Sequence, residues 1–198
     1  MRWPLVALFA VCGWGAYDAY VTRARHRPPG QISVDAPVQR DIENGTPFQV
    51  KRFSLTPRAH FSTTARIIAK ERYRIDSGAE LMPLDLGIGW GQMSDSDLLD
   101  QIKLSQSGRF LRWSADSPPT VSWENINRSA ANLHVIPADD SVANRLYGAR
   151  VGDIVELEGE LVDARRSDGW FIKTSMTRDD VGAGACEVIY VRSVNIHR

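Results

Sequence analysis

Apolar and acidic positions alternate over residues 153–162. Val155, Leu157, Gly159 and Leu161 fall on one face, and Glu156, Glu158 and Glu160 on the other. A period of two predicts a strand with one buried and one wet face. Residues 48–55 and 61–74 are rich in β-branched and aromatic side chains and are separated by Pro57, which predicts two further strands. Ser107-Gly108 lies between two short runs within 103–114, the pattern of a hairpin closed at a glycine. Asp168-Gly169 predicts a turn into Trp170, Phe171 and Ile172, and residues 186–194 read as a last strand.

Two short helices interrupt this pattern. Ser94 precedes Asp97 by three, followed by Leu98, Leu99 and Ile102, so a capped helix is expected to start at Ser94. Asp139 or Asp140 caps the second, with Val142 and Leu146 on one face and an end near Gly148. Many short strands with two short helices predict a mainly β, α+β fold, a small partly open barrel. From Val151-Gly152-Asp153 onward the chain resembles the middle strands of OB-fold proteins, where a Gly-Asp turn opens a long strand that bends at a glycine.

Residues 3–17 (WPLVALFAVCGWGAY) hold no Asp, Glu, Lys, Arg or His. Extended to Tyr20, the run approaches the ~20 residues a membrane span needs, with Trp3, Tyr17 and Tyr20 towards its ends. A cleaved signal peptide needs small residues at the cut, which Gly13-Trp14-Gly15 supplies poorly. A lipoprotein reading fails at two of the three residues before Cys12. The expectation is therefore an uncleaved transmembrane signal anchor over 1–22, a proline-containing linker over 23–47 and a soluble mixed-β domain over 48–198. Arg23, Arg25 and Arg27 after the run favour a cytoplasmic domain, while an apolar start at the third residue favours an N-in anchor. The second orientation is preferred: a single-pass inner-membrane protein with its C-terminal domain in the periplasm.

Composition changes this picture in two respects. The chain of 198 residues carries 24 basic and 24 acidic side chains. Four of the basic and one of the acidic groups lie in residues 1–27, so the remainder is acidic by three. A slightly acidic domain is not built to hold nucleic acid. Of two cysteines, only Cys186 belongs to the domain, so no disulfide within it is expected.

Three blocks, Gly89-Trp90-Gly91-Gln92-Met93-Ser94-Asp95, residues 129–138 (SAANLHVIPA) and residues 182–187 (GAGACE), resemble short bacterial proteins that carry an N-terminal apolar segment. The resemblance implies an anchored single domain and no particular activity.

Candidate chemistry is sparse. Cys186 follows Gly182-Ala183-Gly184-Ala185, His134 is the central histidine, and Glu187 or Asp85 has the chemistry to orient it. The competing reading, a structural thiol at the start of an apolar strand, is preferred. His26, His60, His134 and His197 form no ligand pair, and of the neighbouring Asp95, Asp97 and Asp100 the first two read as first-turn residues of a helix, so no metal and no cofactor are expected. Lys173, Ser175 and Met176 only faintly echo a serine–lysine peptidase. Residues 87–91 (GIGWG) lack the lysine of a phosphate loop and read as a loop that lets Trp90 pack inward. Of the domain's tryptophans, Trp90, Trp113, Trp123 and Trp170, three join the binding candidates: Trp90, Trp113 and Trp170, with His134 and Cys186. The expected function is a non-enzymatic binding or assembly module of the bacterial envelope, contacting an envelope protein or cell-wall polymer. The alternative is an anchored hydrolase using Cys186 or Ser175.

Overall fold

A computed structural model of the protein describes residues 23–180, 182 and 184–198. The expected transmembrane segment over 1–22 lies outside the described residues. Among those described, no helix is long and apolar enough to cross a membrane.

The fold is mainly β with three short helices. Its strands are β1 (Val38–Asp41), β2 (Phe48–Val50), β3 (Phe53–Arg72), β4 (Leu84–Gly89), β5 (Lys103–Ser107), β6 (Phe110–Ser114), β7 (Ala130–Pro137), β8 (Ile154–Arg166), β9 (Phe171–Ile172) and β10 (Glu187–His197). The helices are α1 (Ser96–Leu99), α2 (Trp123–Arg128) and α3 (Asp140–Gly148). Strand β3 pairs antiparallel with β4, and β4 with β7. Strand β7 runs parallel to β10, which pairs antiparallel with β8, and β8 returns to β3. The pairing thus closes on itself, a β-rich architecture that fits an OB-like barrel. Ala59, Phe61, Ile67, Leu86, Ile88, Leu133, Val135, Leu157, Leu161 and Ile189 fill the interior. Val142 and Leu146 of α3 belong to the same core, so the helix closes one end of the ring. Lys70 of β3 donates to the Tyr147 and Ala149 carbonyls at 2.8 and 2.6 Å, satisfying the C-terminal end of α3.

The alternation over 153–162 sets the face of β8. Val155, Leu157 and Leu161 are at most 1% exposed, while Glu158 is on the surface. Leu157→Ala is expected to cost about 2–5 kcal/mol and Glu158→Ala less than about 0.5 kcal/mol. Thermal melting checks this, and equal shifts would mean that the face is misassigned.

Several expectations need correction. Residues 48–55 form not one strand but a tight hairpin, β2 against the start of β3, turning at Lys51 with φ +54°. Pro57 does not end a strand. It lies inside β3 beside a register shift between Pro57 and Ala59, where a missing N–H is tolerated. The first helix is capped by Asp95, whose carboxylate accepts from the Asp97 N–H at 3.0 Å. Ser94 sits in a preceding 3-10 turn, Gly91–Ser94, and its hydroxyl donates to the Gly91 carbonyl at 2.7 Å. The third helix, α2, was not expected. It is six residues long, too short to show a period, and is capped by Ser122.

The stretch 23–47 lies along the barrel. Arg25 N–H donates to the Val151 carbonyl at 2.7 Å, Gly30 N–H donates to the Asp95 carboxylate at 2.8 Å, and β1 pairs with β3.

Candidate functional site

Alternation along β4 and β7 sends one set of side chains outward, away from the barrel interior. Leu84, Leu86, Leu133 and Val135 point in, and Asp85, Asn132 and His134 point out. The register sets Asp85 directly opposite His134, and His134 beside Val188 of β10. Cys186 lies two residues before Val188 and meets the same outer surface.

The β5–β6 hairpin covers this row. A Cβ on Gly87 would come 3.0 Å from the Leu111 side chain and 2.9 Å from that of Ala69, so glycine lets the hairpin lie close to the sheet. Gly108 and Arg109 both take positive φ (+57° and +71°), the turn that suits a two-residue hairpin. That turn directs Arg109 into the row. Its guanidinium donates to Asp85 at 2.8 Å and to Asp76 at 2.9 Å, and it stacks over the Tyr73 ring at 3.8 Å. His134 Nδ1 lies 2.9 Å from the same Asp85 oxygen. Asn132 donates to the Arg109 carbonyl at 2.9 Å and to Cys186 Sγ at 3.3 Å. Asp85 and His134 are buried, and Asp85 Oδ2 has no partner among the described residues.

Burial opposes a charge on His134. Hydrogen bonds with the Asp85 and Cys186 side chains outweigh it and hold the imidazole pKa at about 9. The folded value lies above the unfolded one near 6.5, so the stabilisation is complete below about pH 6.5 and lost as pH rises through 9. Its full size is about 3 kcal/mol at most. The expected result is a wild-type melting temperature that falls between pH 6.5 and 9 relative to His134→Gln. Parallel curves for the two proteins would refute the charged imidazole.

A cleft of about 480 Å3 opens over Cys186, bounded by Phe110 and Trp113 of β6, Asn132 of β7, and Arg178 and Glu187. Glu187 is 2% exposed. One of its oxygens accepts from Arg178 at 3.0 Å, and the other has no partner among the described residues. Burial pushes its pKa up to about 7 against the pull of Arg178.

The structure thus brings three of the five candidate residues to one place: His134 behind Cys186, and Trp113 at the cleft. Trp90 is in the barrel core, as the glycine-loop reading anticipates, and Trp170 packs edge-to-face on Phe53 at 5.4 Å in a different cluster. Ser175 is buried, and its hydroxyl donates to Asp180 at 2.7 Å rather than facing an imidazole. Among the described residues no group of three or more His, Cys, Asp or Glu side chains is arranged to hold a metal ion. The sequence reading missed Arg109, Asn132 and Arg178. Nothing local marks Arg109: the glycine signals the turn, but the groups its side chain meets are set by where the hairpin lies on the sheet. No family model matches the chain, and neither the curated proteins nor the solved structures contain a significant match to it.

Proposed function

We propose that the protein is a membrane-anchored binding or assembly module of the bacterial cell envelope, held by residues 1–22 and presenting an OB-like barrel to the periplasm. Its ligand site is the cleft over the outer face of β7, a face OB-like barrels use for oligosaccharides and other polymers. The observation that carries this reading is the pairing of aromatic walls, Phe110 and Trp113, with the buried Glu187 oxygen that has no partner among the described residues. An aromatic surface beside an unsatisfied acceptor suits a ring bearing hydroxyl or amide donors, as in a cell-wall glycan or its peptide. The acidic balance of the domain disfavours nucleic acid.

Titration with soluble cell-wall fragments, read by tryptophan fluorescence, tests the site. Saturable binding that weakens at least tenfold in Glu187→Gln supports it, and no binding, or binding indifferent to that change, refutes it. Localisation has a separate test: a reporter active only in the periplasm, fused after Arg198. An inactive fusion would exclude the envelope-facing role.

One observation favours the alternative hydrolase, and only through Cys186: its thiol lines the cleft, while His134, 2.9 Å from Asp85, lies on the same outer face behind it. In such a site the proton shared by the imidazole and the thiol already rests on His134, and sulfur bonds to a carbonyl carbon. The leaving group departs with that proton, and water then cleaves the thioester. This reading requires iodoacetamide to label Cys186 faster than Cys12 in the unfolded chain and at least tenfold slower in His134→Gln. Equal labelling of the two variants, each verified as folded, would exclude it.

A further inference from the structure

We infer that the end of the barrel nearest the N-terminal segment is a binding surface for the headgroups of anionic phospholipids. Along the sequence, Arg23, Arg25 and Arg27 form an isolated basic run. The fold brings to them Arg150, from the turn after α3, and Arg198, the residue after β10, around a cleft of about 310 Å3. Arg145 of α3 joins Arg198 along an adjoining cleft. Only Arg25 has an acidic partner among the described residues, the fully buried Asp153. Arg27 is fixed by neutral groups, its Nε donating to the Gly152 carbonyl at 2.7 Å and its terminal nitrogen to the His197 carbonyl at 3.2 Å. His26 also lines the cleft.

Such a cluster has a cost. Like charges gathered at one end repel, and guanidiniums without carboxylates recover that cost when they meet phosphate oxygens, which they bind in a bidentate manner. The position of the cluster names the source of the phosphate. Residue 23 is three residues past the end of the apolar run at Tyr20, at most ~11 Å of extended chain. The inference rests on the anchored reading: with the run in a bilayer, the arginine cleft lies at headgroup level. There each basic side chain contributes about 1 kcal/mol on an anionic surface, roughly a thirtyfold effect for two of them. Docking would also orient the barrel, because Arg150 and Arg198 directly flank the ring strands β8 and β10 while Arg23 leads to the anchor.

The experiment uses the full chain in nanodiscs of phosphatidylcholine, with and without phosphatidylglycerol, read by hydrogen exchange at residues 149–153 and 195–198. Exchange is expected to slow at least threefold with phosphatidylglycerol, and the slowing to disappear in 0.5 M salt (on the order of a 4 Å screening length) and in the double variant Arg150→Gln/Arg198→Gln. Neither of those two side chains makes a hydrogen bond or ion pair among the described residues, so the double variant is expected to fold as wild type. Identical exchange in both discs, or protection retained in the double variant, overturns the inference while leaving the anchor intact. Protection by inorganic phosphate in plain phosphatidylcholine discs overturns the lipid assignment in favour of a free anion. A chain that does not enter discs removes the anchored reading, and this inference with it.

Discussion

Replacing Asp85 by Ala is expected to lower stability by about 3–5 kcal/mol at pH 7, the range for removing one partner of a buried ion pair. The size follows from where the carboxylate sits. It is fully buried and takes Arg109 at 2.8 Å and His134 at 2.9 Å on the same oxygen. Without it the imidazole loses the group that keeps it charged, and Arg109 retains only Asp76 at the surface. Two side effects separate this from ordinary core damage. The pH dependence between 6.5 and 9 should vanish together with the Asp85 charge, and the β5–β6 hairpin should exchange amide hydrogens faster, because Arg109 ties its turn to β4. Asp76→Ala, at the more exposed end of the same guanidinium, should cost no more than about 1 kcal/mol. A calorimetric difference between the two variants below 1 kcal/mol would show that Asp85 does not hold this row together.

The second large effect is expected at Gly159. A Cβ there would lie 2.0 Å from the Tyr190 carbonyl oxygen and 3.1 Å from the Val191 backbone. Real Cβ atoms do not approach backbone so closely, and neither neighbour is a flexible side-chain tip. Gly159 opposes Val191 just before the register shift between Val191 and Ser193, where β8 and β10 come together. Gly159→Ala must therefore separate two ring strands, at a cost of about 4 kcal/mol or more, the exceptional range for a point change. Soluble yield and near-ultraviolet circular dichroism report the outcome. A variant melting within a few degrees of wild type would mean the ring tolerates wider spacing at that point.

The two cases differ in how far they were legible beforehand. Gly159 stood out as the one small residue on the apolar face of β8, and a bend there was the natural reading. Asp85 and His134 have the chemistry to partner Cys186, but the separation along the chain, 49 residues between the first two, carries no geometric information. Their meeting required the antiparallel register of β4 with β7 and the parallel register of β7 with β10. Arg109 and Arg178, which neutralise the buried carboxylates, had no local signature at all.

What the residues determined by themselves is everything that depends on near neighbours. The period of two in β8, the turns at Gly108 and Gly169, an aspartate cap at 139 or 140 for α3 and the inward packing of Trp90 follow from side-chain direction and backbone freedom within a few residues. What only the tertiary structure decided is which distant segments share a surface. Ring closure joined β3 to β8, laid the β5–β6 hairpin over Asp85 and His134, and brought Arg150 and Arg198 to the N-terminal arginines. The reason is physical. Local conformation is set by short-range sterics and hydrogen bonds, whereas strand partnership is set by burying the whole apolar face at once, a property of the entire chain.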